Sequence, residues 1–371
     1  MIQFWVAVLA ISTLLYVLLD GFTLGIGILF GAKRDEVERE AMMNAVAPIW
    51  DGNQTWLVVT GVVLWGAFPA VYAILLSAFY LPLLFMLAGL ILRGVAFEFR
   101  HNTTRMRWIW NASFAGGSLI AAFMQGLTVG ALVEGLPISD GHYVGGEFGW
   151  LSPFALLCGV GLCLGYTLLG ACWLVLKCEG DVRDRAYRAI PYLAGGLLAF
   201  LIVVFVYALA QDLPVMMRWL ERPYLFVFPA VGALAAIALA ISVRDRIDAV
   251  PFRLVALIFA AAFGTLAISF WPYMIPFSIT VAEAAAPYTS LAFMFWGAGL
   301  FVFPIMLVYT AISLHVFRGK IAVHSHEGPE KPGNAPHHWR AQHRISSDAS
   351  NLRTTTGDRH VQSDERDRDR L

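Results

Sequence analysis

Long apolar runs separated by short polar segments dominate the chain from its start to about residue 317. At roughly 20 apolar residues per membrane crossing, nine stretches emerge, at about 5–30, 55–73, 77–98, 112–134, 152–176, 190–210, 224–243, 253–273 and 290–316. The pattern predicts an all-α integral membrane protein of nine transmembrane helices. The first stretch lacks a preceding basic region and holds Asp20 within its apolar run, so it reads as a permanent helix and not as a cleaved signal.

Composition agrees, with 58% of the 371 residues hydrophobic, 14% charged and a mean hydropathy of +0.67. A soluble chain of this size has no way to hide so much apolar surface. The formal net charge is zero, so bulk electrostatics points to no partner, but the placement of Lys and Arg carries information. Fifteen lie in the segments that follow odd-numbered helices, among them Lys33, Arg100, Arg107, Lys177, Arg185 and Arg246, against Arg218 and Arg222 after even-numbered ones. Positive residues mark cytoplasmic loops, which predicts an external N-terminus, a cytoplasmic C-terminus and an odd number of crossings.

Residues 318–371 change character, becoming rich in His, Arg, Asp, Ser and Gly. Such a segment buries too little surface to order itself, so a disordered polar cytoplasmic tail is expected after a membrane domain at 1–317. Its histidines, His324, His326, His337, His338 and His343, fit a solvated low-complexity tail better than a metal site. Cys158, Cys163, Cys172 and Cys178 lie within or at the end of one helix, without a CxxC pair, and read as small apolar residues.

A membrane haem needs an axial ligand inside a helix. His101 and His142 fall in loops and His315 at a helix end, which argues against a haem held wholly by this chain. The helices do carry Asp20, Asp51, Arg93 and Glu98, and ionisable residues at membrane depth are functional candidates by default. All four are expected in the cytoplasmic half, Asp20 about 15 residues or roughly 22 Å along its helix. Thr13, Tyr16, Asp20, Thr23 and Gly27 share one face of that helix, which is meant for protein or water and not for lipid. Two readings stand side by side: a buried ion pair of Arg93 with Asp20 or Glu98 that fixes packing, or a hydrated acidic entrance for protons.

The run NAVAPIWDGNQTWL, from Asn44 to Leu57, resembles the most distinctive signature of subunit II of the cytochrome bd-type quinol oxidases. DGFTLGIG, from Asp20 to Gly27, is similar to that family's first-helix motif, usually DGFDLGxG. The likeness continues through Ala78–Arg100 and Trp271–Thr280 and spans residues 1 to about 317. It implies two four-helix bundles plus one peripheral helix, paired as a heterodimer with a subunit I in the bacterial inner membrane. Subunit I would hold haem b, in many members with haem d, and oxidise ubiquinol or menaquinol, while subunit II helps line a cytoplasmic proton route for reduction of oxygen to water. The choice of quinol, the presence of haem d and a small third subunit stay open.

Carried over by position, Asp51 matches the acid of the WDGN motif and is the first choice for the proton route. Asp20 matches the first acid of the DGF motif, and Glu98 a family acid shortly before Arg100. Thr23 stands where the family usually has an acid, so a route passing there would need water. Trp50, Gly52, Asn53 and Trp56 read as a scaffold for Asp51, with tryptophans at the membrane interface, Gly52 allowing close backbone approach and Asn53 capping its helix. The rival functions are an ion-coupled transporter and a purely structural subunit with no proton role.

Overall fold

The computed structural model describes residues 1–100, 103, 105–210, 219 and 223–320. The expectations for His101, Arg218, Arg222 and the tail from residue 321 onward lie outside the described residues. Helices form wherever an apolar run is long enough, because backbone groups in lipid have no partner but each other. The membrane part begins with α1 (Ile2–Gly31), a short polar α2 (Glu36–Asn44), α3 (Trp50–Ala67), α4 (Pro69–Ala78), α5 (Tyr80–Arg100) and α6 (Arg107–Glu134). It continues with α7 (Pro153–Lys177), α8 (Gly180–Ala210), α9 (Val227–Arg244) and α10 (Pro251–Phe270). After the short α11 (Val281–Ala284) come α12 (Tyr288–Met294), a π-helical turn at Phe295–Gly299 and α13 (Val302–Val316). Small hairpins pair β1 (Ile138–Ser139) with β2 (His142–Tyr143) and β3 (Tyr273–Ile275) with β4 (Ile279–Thr280).

Among the described residues eight helical stretches are each long and apolar enough to cross a membrane. The remaining expected crossing, 55–73, is differently built. It divides at Phe68 into α3 and α4, because Pro69 has no N–H to continue a helix and pushes the residue before it out of helical geometry. Asp51, Asn53, Gln54, Thr55 and Thr60 also make α3 more polar than its neighbours.

Helices α1, α3, α5 and α6 form one bundle and α7 to α10 a second. They join where α7 packs on α1 and α6. Joining requires close backbone approach: a Cβ on Gly25 of α1 would stand 1.7 Å from the Tyr166 carbonyl oxygen of α7; within the first bundle, one on Gly117 of α6 would stand 2.4 Å from the Gly89 carbonyl oxygen of α5. Small residues at crossings serve this purpose in membranes, where dispersion and not the hydrophobic effect holds helices together. By contrast α13 buries none of its residues and runs along the edge.

The segments after odd-numbered crossings meet at one end of the bundle. Arg100 and Arg107 pair with Glu36, Arg185 pairs with Glu38, and Arg183 and Lys320 pair with Asp248. The opposite end gathers the apolar cluster of Trp5, Val71, Leu136, Trp150 and Ile275, with the Trp5 indole donating to the Leu291 carbonyl at 3.2 Å.

Candidate functional site

Asp20 and Arg93 meet in the interior. The Arg93 Nη2 donates to Asp20 Oδ1 at 2.8 Å, and both side chains are only 1% exposed. Thr23, one turn along α1, donates to the same carboxylate oxygen at 2.8 Å and accepts from Arg93 Nη1 at 3.1 Å. The Thr23 hydroxyl thus bridges the two charged partners. Asp20 Oδ2 and Arg93 Nε have no hydrogen-bond partner among the described residues. Buried polar atoms are nearly always paired, which sets these two apart from the rest of the interior.

The helix-one stripe is built as its spacing predicts. Thr13 approaches Thr60 of α3 at 3.4 Å, Tyr16 accepts from Gln125 of α6 at 2.8 Å, and Gly27 faces Ser118, whose Oγ would lie 2.0 Å from an added Cβ. Neither Gln125 nor its other partner, Tyr166 of α7, which donates to Gln125 Oε1 at 2.9 Å, stood out in the sequence. Both belong to apolar runs, and only their side-chain contacts reveal them.

Asp51 and Glu98 are not part of this buried group. Asp51 lies in the first turn of α3 and Glu98 near the end of α5, and both are exposed on the surface of the chain. They flank a shared anchor, the stacked rings of Trp50 and Phe97 with centroids 5.2 Å apart. Arg93 therefore selects Asp20 and not Glu98. Five residues separate Arg93 from Glu98, which turns the acid about 140° around the helix from the guanidinium.

Three scaffold expectations change. Asn53 does not cap α3; its side chain donates to the Leu19 carbonyl at 2.9 Å and braces α3 against α1 beside Asp20. Trp56 is fully buried against Phe303 rather than at an interface, because it points into the bundle on the same side as Asn53. Gly52 makes no close backbone approach either, since an added Cβ would meet only the Tyr309 ring at an ordinary 3.7 Å.

The polar end carries a second network, unforeseen from the sequence. Glu36 of α2 accepts from Arg39 at 2.8 Å and Arg100 at 2.7 Å, and Arg100 Nε donates to Asn111 Oδ1 at 2.7 Å. Burial pushes the Glu36 carboxyl up, but the Arg39 bond and the charges of Arg100, Arg39 and Arg107 outweigh it and hold the carboxyl below its ordinary value. Glu38 is buried between Lys33 and Arg185. Local spacing hides these contacts, because the partners come from α5, α6 and α8.

Among the described residues no three His, Cys, Asp or Glu side chains are grouped to hold a metal. His142 and His315 are both exposed, the first on a hairpin and the second in the last turn of α13. The donor set of the described bundle does not fit a histidine-ligated haem.

Comparison with known proteins agrees with this architecture. Residues 1–317 match the family described as cytochrome bd terminal oxidase subunit II. The chain is 30% identical to the cytochrome bd-I ubiquinol oxidase subunit 2 of Escherichia coli strain K12, over 83% of this chain and 91% of that one. It is 28% identical to the cytochrome bd ubiquinol oxidase subunit 2 of Bacillus subtilis, over 88% of this chain and 97% of the other. In fold it superposes on a chain of the bd oxidase from Geobacillus thermodenitrificans with a TM-score of 0.67 and 16% identity, covering 85% of this chain and 97% of that one. The polar stripe of helix one, the WDGN turn that opens α3 and the paired helix bundles thus belong together, and the chain is a member of the cytochrome bd terminal oxidase subunit II family.

Proposed function

We propose that this chain is the proton-conducting, haem-free half of a quinol:oxygen oxidoreductase of a bacterial inner membrane. Its partner, subunit I, carries haem b, with or without haem d, and oxidises the quinol. The observation that carries the reading is the buried Asp20, with one carboxylate oxygen against Arg93 and Thr23 and the other without a hydrogen-bond partner among the described residues. Reduction of oxygen to water consumes protons, and a route through low dielectric needs groups that change protonation without leaving it. Asp51 and Glu98 form the entrance on the α3 and α5 face, and Asp20 stands behind them.

Exposure of Asp51 and Glu98 supports a partner on that face. Ionisable side chains at membrane depth face protein or water and not hydrocarbon, so subunit I covers the Trp50–Phe97 surface. Among the described residues His142 and His315 are both exposed, which supports redox centres on the partner. The distribution of Lys and Arg supports an orientation with the Glu36 end in the cytoplasm. Membership of the oxidase family removes the ion-coupled transporter as a rival.

The test is made on the purified complex. Asp51→Asn preserves size and hydrogen bonding but carries no proton, so it should assemble with normal haem content and slow quinol-driven oxygen uptake about 10-fold or more. Asp51→Glu should keep much more of the rate. An Asn variant that turns over like wild type would remove Asp51 from the route.

A further inference from the structure

Behind Asp20 runs a chain of buried polar side chains that the ion pair does not require. Tyr166 of α7, Gln125 of α6 and Tyr16 of α1 are all more than nine-tenths buried and hydrogen-bonded in series. The chain has a direction. Tyr166 donates to Gln125 Oε1, and Gln125 Nε2 donates to the Tyr16 hydroxyl oxygen, so Tyr16 keeps its own hydrogen for a further acceptor. The unpaired acceptor nearby is Asp20 Oδ2, one helical turn along on the same face and in electrostatic contact with Tyr16. Reversing the Gln125 amide would turn the Tyr16 hydrogen away from Asp20 and leave the Tyr166 hydroxyl hydrogen without an acceptor. Tyr166 therefore fixes the polarity of the whole chain.

We propose that Tyr16, oriented by Gln125 and Tyr166, is a positioning residue for Asp20 that makes Oδ2 the oxygen that exchanges protons. The inference rests on the proton-uptake reading of Asp20. Oδ1 lies against Arg93 and Thr23, whereas Oδ2 has no hydrogen-bond partner among the described residues and, in this proposal, takes the Tyr16 hydrogen and keeps a lone pair. A proton that arrives bonds to Oδ2 and later departs from that same oxygen, while Tyr16 retains its own hydrogen throughout. The tyrosine hydroxyl sets the orientation of the carboxylate and is not itself a carrier.

The experiment uses the purified oxidase complex with Tyr16→Phe, Gln125→Leu and Tyr166→Phe. Thr265→Val, which removes a hydroxyl bonded only to its own helix at Ala261, serves as control. Tyr16→Phe should lower kcat for quinol-driven oxygen uptake roughly three- to tenfold, the usual effect of one lost hydrogen bond. The quinol KM should be unchanged, and the carboxylate bands of the redox-induced infrared difference spectrum should shift. Gln125→Leu and Tyr166→Phe should do the same to smaller extents, and Thr265→Val should match wild type. Wild-type kcat in Tyr16→Phe overturns the proposal, as does a fall in kcat with unmoved carboxylate bands. If Tyr16→Phe does not assemble, the other two variants decide, and wild-type values in both overturn it. Failure of all three to assemble makes the chain a packing element and overturns it equally. The assembled double variant Asp20→Asn with Arg93→Gln separates the two ideas: if it abolishes turnover while Tyr16→Phe does not, only the positioning role falls, and if it turns over normally, the proton reading falls.

Discussion

Replacing Asp20 by Asn strands the Arg93 guanidinium in the bundle, 1% exposed and without its countercharge. At the observed contact of 2.8 Å the charge centres are about 4 Å apart, an attraction of about 4 kcal/mol at an effective dielectric near 20. Removing one partner of a buried pair costs about 3–5 kcal/mol, because the remaining charge stays desolvated. That is a large share of the roughly 5–15 kcal/mol by which a folded domain is stable. Removing both charges costs far less, since a pair replaced by neutral groups of like size is often nearly neutral. A double-mutant cycle therefore separates structure from chemistry. Asp20→Asn and Arg93→Gln should each reduce the yield and the thermal midpoint of the assembled complex, followed by loss of haem absorbance. The double variant should recover most of both. Oxygen uptake per assembled complex should stay low in the double variant, because neither Asn nor Gln carries a proton. Recovery of turnover together with assembly would refute the reasoning and leave Asp20–Arg93 as a packing device alone.

Gly25→Ala should block assembly, because its methyl would overlap the Tyr166 carbonyl and force α1 and α7 apart by more than 1 Å; a normal yield of complex would show that the contact yields easily. A reporter fused after Lys320 should be active only as a cytoplasmic reporter and one inserted at Ser139 only as an external one, and the reverse pattern would invert the proton route. Glu36 is a carboxyl held below its ordinary value by arginines, so its contribution to stability is complete above that ordinary value and is lost as pH falls through the depressed one. Glu36→Gln should lower thermal stability at neutral pH and flatten its fall at acidic pH, and an unchanged acid profile would show that the α2 contacts carry none of it.

Most of the membrane architecture was legible because apolar run length is set by bilayer thickness. A buried pair for Arg93 and the polar stripe of α1 were legible too, from charge scarcity and helical spacing, but the choice of Asp20 over Glu98 was not. What stayed hidden depends on rotation about a helix axis and on partners distant in sequence. Asp51 and Glu98 were expected in one band with Asp20 but lie exposed near helix ends, and which way they face is not given by position along the chain. Gln125 and Tyr16 are 109 residues apart, and no local pattern links them. Asn53 next to an acidic helix start looks like a cap, and only the nearness of the Leu19 carbonyl gives it another task. The break at Phe68 was missed because an apolar run reads through Pro69 without interruption.

The separation of Asp20 from Arg93 bears on biosynthesis. The two are 73 positions apart, so at ordinary elongation rates Arg93 is made roughly 4–15 s after Asp20. During that interval α1 must enter the bilayer on the strength of its own apolar residues, against the cost of an acid at membrane depth. The ion pair closes only when α5 arrives. Arg93 therefore acts on the maturation of a helix already inserted, and its loss should yield a full-length, membrane-integrated but unassembled chain exposed to quality-control proteolysis.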